Sequence, residues 1–163
     1  MKRRVLTPLR SALVDRSMLR KQVQNGLRAM NTKHTKYLDD AVRSSFADSL
    51  NLDAALQRRH PTDHRWDYLL GHAPSRSAIG LEPHSAKQDE VSTVIAKRCA
   101  ALRHLRGHMR PGARVAAWLW VASGKVYFAD TGKERRRLDQ NGVTFVGTKV
   151  LEKHLQALRQ GGR

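Results

Sequence analysis

The stretch AIGLEPHSAKQDEVSTVIAKR, residues 78–98, decides how the chain is read. Its first residues read as a strand, in which alternate side chains share a face, so Gly80, Glu82 and His84 point one way while Ile79 and Leu81 point into the core. Behind Glu82, Pro83 and His84 the spacing changes to that of a helix, predicted over Ala86 to Met109. Val91, Val94, Ile95, Cys99, Leu102, Leu105 and Met109 form one face, with a stop at Arg110-Pro111-Gly112. An apolar run that ends in a glutamate and a histidine places polar chemistry at the edge of a core strand.

Working outward, RWDYLLG (65–71) reads as a second strand, closed by the turn-prone HAPSRS (72–77), so the two strands make a hairpin-like unit. Asp67 lies in the first of them, where a carboxylate is poorly suited to a half-buried position unless it is paired or binds a cation. Pairing through the turn brings Asp67 toward Glu82. Two such carboxylates repel each other, a divalent cation relieves the repulsion, and oxygen donors suit Mg2+ or Mn2+. An ion held in this way can activate water against a phosphodiester. A third, cationic group would complete the site. Counted at 100° per residue from Val91, Lys87 lies about 40° from the centre of the apolar stripe, whereas Lys97 lies about 120° away and faces outward. Lys87 is therefore the preferred cation, and His84 competes with it as a metal ligand or proton carrier. The candidate set is Asp67, Glu82, His84 and Lys87, with Asp67 and Glu82 as the metal ligands.

The rest of the chain frames this unit. Leu9, Leu13, Val14, Met18, Leu19, Val23 and Leu27 recur at helical spacing among arginines and lysines, predicting a basic amphipathic helix from Pro8 to about Met30 and a basic helical extension over residues 1–34. The domain proper then spans 35–163. Within it a helix is predicted over Tyr37–Leu50, SLNLDAAL (49–56) reads either as a short strand or as more of that helix, and RRHPTDH (58–64) is a loop. ARVAAWLWVAS (113–123) is too apolar to have a wet face and reads as a central strand. Gly124 is read as a turn, with KVYFAD (125–130) pairing beside the strand. KERRRLDQNG (133–142) is a short helix, VTFVG (143–147) a strand, and a last helix runs over Lys149–Leu158. The class is α/β (α+β), a central mixed sheet flanked by helices.

Composition narrows the function. Thirty-one Lys and Arg stand against fourteen Asp and Glu, a formal charge of +17 in 163 residues, which points to nucleic acid as the partner, DNA ahead of RNA. The basic N-terminal helix is a second surface, for phosphates or for a protein partner. No window approaches the roughly 18 apolar residues that span a bilayer. The single cysteine, Cys99, reads as a small buried thiol in a reducing compartment, and a cytoplasmic location is expected.

Asp67, Glu82 and the elements around them, over roughly Tyr37 to Gly147, resemble the PD-(D/E)XK nuclease superfamily, the fold of many restriction endonucleases and archaeal Holliday-junction resolvases. The resemblance implies a core of helix, three strands, helix and strand, with an Asp starting the second strand and a Glu-X-Lys on the third. Asp67 matches the Asp, Glu82 matches the Glu, and His84 occupies the lysine position. The superfamily also moves its lysine onto a neighbouring element, which suits Lys87 and, less well by the angle count, Lys97. Many resolvase-like members carry a Glu on the first helix, where this chain offers Asp39, Asp40 and Asp48. The implied activity is metal-dependent phosphodiester hydrolysis with Mg2+ or Mn2+. Two alternatives stay open, a catalytically degenerate module of this fold that binds nucleic acid or a protein, and an unrelated basic protein acting through protein contacts.

Overall fold

Tyr68–His72 and Ser77–Ala86, strands β3 and β4, form the predicted hairpin, with Tyr68 opposite Leu81 and Leu70 opposite Ile79. In this computed structural model the described residues are 5–127 and 132–160, and the side chains of residues 159 and 160 are outside that set. Four more strands complete one mixed sheet whose spatial order follows the chain: β1 (Gln24–Asn25), β2 (Phe46–Asn51), β5 (Val115–Val126) and β6 (Thr144–Phe145). Strands β1 to β4 pair antiparallel, and β5 and β6 each add in parallel. A parallel step needs a long crossover. Helix α5 (Glu90–His104) provides the one between β4 and β5.

The remaining helices are α1 (Pro8–Ala12), α2 (Met18–Lys21), α3 (Asp40–Arg43), α4 (Leu52–Leu56), α6 (Lys133–Gln140) and α7 (Glu152–Gln160). Both faces of the sheet are covered. On one, Leu9, Leu19, Leu52, Val91, Val94 and Leu138 pack with Trp66, Trp118 and Trp120; on the other, Leu38, Val42, Val150 and Leu155 pack with Leu70, Ile79, Leu81 and Leu119. The fold is thus α+β, a six-stranded mixed sheet flanked by helices.

Four sequence expectations change. The continuous helix over Pro8–Met30 is instead two short helices and a two-residue strand. Ser17 accepts a hydrogen bond from the Leu19 amide and starts a new helix there, while Leu13 bridges to Met109 and the Val14 amide donates to the His108 carbonyl. Folding back in this way buries Leu9, Leu13, Leu19 and Val23 in the core. The helix predicted over Tyr37–Leu50 is only α3, followed by β2, because Ser49, Leu50 and Asn51 find ladder partners in Leu70, Leu69 and Tyr68. A strand buried on both faces outweighs local helical periodicity. Gly124 does not turn the chain. It lies within β5, which continues to Val126, and residues 128–130 of the expected pairing segment lie outside the described residues.

The fourth difference concerns α5. It begins at Glu90, not Ala86, and buries Val91, Val94, Ala100, Ala101 and His104, while Cys99 is exposed and Leu102 is 43% exposed. At 100° per residue these buried positions, with Leu105, centre about 80° from the stripe predicted by the sequence. Two adjacent alanines let the helix lie close on the sheet with that side inward. Leu102, turned away from the sheet, lines an open groove of about 730 Å³ with Arg98, Arg106, Arg114, Trp118 and Val143.

Candidate functional site

Asp67 directly precedes β3, and Glu82 lies six residues into β4 on the face covered by α5. The strand register determines how they meet. Tyr68 pairs with Leu81, so Asp67 and Glu82 are the next positions along the hairpin, and the Asp67 amide donates to Glu82 Oε1 at 3.0 Å. Beneath them Gly80 makes room for packing. A Cβ there would lie 2.5 Å from the Trp118 ring and 2.9 Å from Trp66 Nε1, and the two indoles meet edge to face at 5.0 Å. The site therefore stands on a tight aromatic floor.

The cation that joins the carboxylates is Lys97, not Lys87. The Lys97 ammonium donates to Glu82 Oε2 and lies 3.5 Å from Asp67 Oδ1. Both carboxylates thus have an oxygen within 3.5 Å of one nitrogen, which places those oxygens within about 7 Å of each other. Lys87 is exposed and precedes the helix, so the angle count does not apply to it. The same count applied to the real buried face puts Lys97 about 40° from its centre, and its long stem carries the charge to the sheet edge. The stripe of Val91, Val94, Ile95, Cys99, Leu102, Leu105 and Met109 misplaces the inward face because Cys99 and Leu102, which are exposed, pull its centre away from the side that packs on the sheet.

His84 comes to the same edge by a different route. Its Nε2 is 2.9 Å from Glu90 Oε2 and its Nδ1 is 3.9 Å from Glu82 Oε2. Glu90, the first residue of α5, was not among the sequence candidates. Its hydrogen bond with His84 holds its carboxyl below the usual range, and the bond fixes the imidazole beside Glu82. Of the other acids, Asp40 pairs with Arg43 at the surface, and Asp48 lies on β2 opposite Gly71, three residues along the ladder from the Asn51–Tyr68 pair that borders Asp67. The Asp48 carboxylate instead accepts from the Leu9 and Arg10 amides at the start of α1.

The electrostatics follow from burial. Glu82 has no exposed surface, and that burial pushes its carboxyl well above the ordinary range; the Asp67 charge pushes the same way, while Lys97 and the Asp67 amide oppose it. Burial would strip Lys97 of its proton, but the charges of Glu82 and Asp67 outweigh it and hold the ammonium above its usual value. Glu82 and Lys97 thus each hold a proton more tightly than usual. Compared with family models, characterised proteins and solved structures, the chain has no match. What the arrangement can do is accordingly read from its own chemistry. Two carboxylates, one fully buried and one partly exposed, offer hard-oxygen donors of the kind Mg2+ and Mn2+ take, with the Lys97 ammonium alongside.

The tryptophans and the arginine run are mostly structural. Trp118 and Trp120 are buried, and Trp120 Nε1 donates to the His84 carbonyl. On α6, Arg137 donates to Ser92 and Arg135 to the Phe145 carbonyl. No described helix is long and apolar enough to cross a membrane.

Proposed function

We propose that the chain is a metal-dependent nuclease of the PD-(D/E)XK type whose motif lysine is supplied by α5. One observation carries the reading: Lys97 bridges Asp67 and Glu82, the two acids that open and occupy adjacent antiparallel strands. The order of elements agrees with it. Three antiparallel strands, β2 to β4, are followed by a crossover helix and a parallel strand, as in the superfamily core.

In this reading Asp67 and Glu82 would hold Mg2+ or Mn2+, which would supply Lewis-acid chemistry toward the phosphodiester. Lys97 keeps its proton and presents a fixed positive charge to the oxygens of the scissile phosphate. His84, anchored by Glu90, stands at the rim of the site with its Nδ1 3.9 Å from Glu82 Oε2. Excess positive charge, including Arg106 and Arg114 in the groove beside α5, holds the nucleic-acid backbone through phosphate contacts.

The deciding experiment incubates the protein with single- and double-stranded DNA and RNA in Mg2+ or Mn2+, beside Asp67→Ala and Glu82→Ala. Cleavage by the parent chain and its loss in both variants is the expected result; cleavage that survives both substitutions sinks the site. A second reading, a binding module that has lost the reaction, is favoured by His84 standing where the superfamily pattern has lysine. No cleavage by any chain, with salt-sensitive binding retained in all, selects it.

A pH dependence follows from Glu82. Its raised proton affinity means that a proton competes with the cation over a wider range than at an ordinary carboxylate. Mn2+ affinity, followed by titration calorimetry, is expected to rise with pH as Glu82 loses its proton and to fall as pH is lowered. Glu82→Gln is expected to weaken binding and flatten that profile.

A further inference from the structure

We propose that His60, Asp63 and His104 form a second metal site, suited to Zn2+, which ties the loop leading into Asp67 to the end of the helix that carries Lys97. This goes beyond the nuclease reading and stands on different residues. One ligand atom from each of the three lies within 4.8 Å of the other two. Asp63 Oδ2 is 2.9 Å from His104 Nε2 and 3.3 Å from His60 Nδ1, and the imidazole rings stand 4.1 Å apart between centroids at 34°. Around a tetrahedral zinc with bonds of about 2.0–2.1 Å, neighbouring donor atoms sit about 3.3 Å apart, so both distances from Asp63 are near the spacing required, and the two imidazole nitrogens lie within 4.8 Å of each other.

The donor set distinguishes this site from Asp67 and Glu82. Two imidazoles and one carboxylate suit Zn2+, whereas Mg2+ favours oxygen alone. His104 is the built element. Its side chain is only 2% exposed at the C-terminal residue of α5, its Nε2 is aimed at Asp63, and its Nδ1 is buried with no hydrogen-bond partner among the described residues. His60 and Asp63 close the cluster from the surface, their side chains 36% and 40% exposed, which leaves an approach for the ion and for a water as fourth ligand. Arg65 holds the loop in shape. Its guanidinium donates to the carbonyls of His60 at 2.7 Å and Pro61 at 3.1 Å while its Nε pairs with Asp53 at 2.8 Å.

The location supplies the consequence. The loop runs directly into Trp66 and Asp67, and Lys97 precedes His104 on α5 by two helical turns, about 10 Å. An ion bound here cross-links the two segments that bring Asp67 and Lys97 together.

Zinc binding is tested in the full chain carrying Glu82→Gln, which weakens metal binding at the other carboxylate pair. One Zn2+ per chain by titration calorimetry, a Co2+ complex with visible ligand-field absorption, and a rise of several degrees in the unfolding temperature on adding Zn2+ are expected. His60→Ala and Asp63→Asn, on the accessible loop, are expected to weaken zinc binding about tenfold or more and to remove the Co2+ band and the thermal shift. Binding of less than half an ion per chain, or zinc affinity unchanged in both variants, overturns the proposal.

Discussion

Lys97→Met is expected to lower metal-dependent cleavage by about 10²–10³-fold, the range associated with losing one charge-stabilising group in an active site. Methionine preserves much of the apolar stem and removes only the ammonium, so the effect is read on charge and not on packing. Lys87→Ala is expected to leave cleavage unchanged, since that side chain is exposed and outside the helix. The pair of variants separates the two lysines that the sequence offers. Loss of activity in Lys87→Ala with retention in Lys97→Met would reverse the assignment. Stability supplies an independent readout. Without Lys97, Glu82 remains buried beside Asp67 with no cation, and the cost is expected to be about 1–3 kcal/mol by urea unfolding, limited by the ease with which Glu82 takes up a proton. Mn2+ is expected to restore part of that loss.

Gly71→Ala is expected to destabilise the fold by about 3–5 kcal/mol, comparable to breaking a buried charged network. A Cβ at this position would lie 1.8 Å from Asp48 Oδ1 and 3.1 Å from the Pro8 side chain. Asp48 is fully buried, and its two oxygens accept from the Leu9 amide at 3.2 and 3.1 Å and from the Arg10 amide at 3.2 Å. Displacing the carboxylate therefore strips α1 of its acceptor and leaves a buried charge without partners. The clash itself can be isolated. Adding Asp48→Ala to Gly71→Ala opens the space the new methyl needs, so the double variant is expected to be less destabilised than the sum of the two singles by at least about 1 kcal/mol. Strict additivity in that cycle would show that the methyl is accommodated elsewhere.

These two results also mark where the sequence was legible. The hairpin that brings Asp67 beside Glu82 was readable because strand alternation and a short turn are local: a two-residue period and a four-residue connection leave little freedom of register. Lys97 was not. A helix with apolar residues on more than one side has no unique inward face in isolation, and the choice of the Ala100, Ala101 and His104 side was made by close packing on the sheet. The N-terminal segment repeats the lesson. Its periodicity supports one long helix, yet Asp48, Met109 and His108, far away in the chain, draw it into short pieces.

By itself, the sequence determined the mixed α and β character, the strong positive charge, the central hairpin and the meeting of two carboxylates at its edge. Each of these rests on composition or on spacing over a few residues. Only the packed fold set which lysine reaches Asp67 and Glu82, that Glu90 anchors His84, and that Asp63, with His60 beside it, meets His104 across a separation of 41 residues. The reason is physical. Local periodicity constrains which face a residue shares with its near neighbours, but the rotation of each element about its axis is set by the surfaces it packs against, and those come from distant parts of the chain.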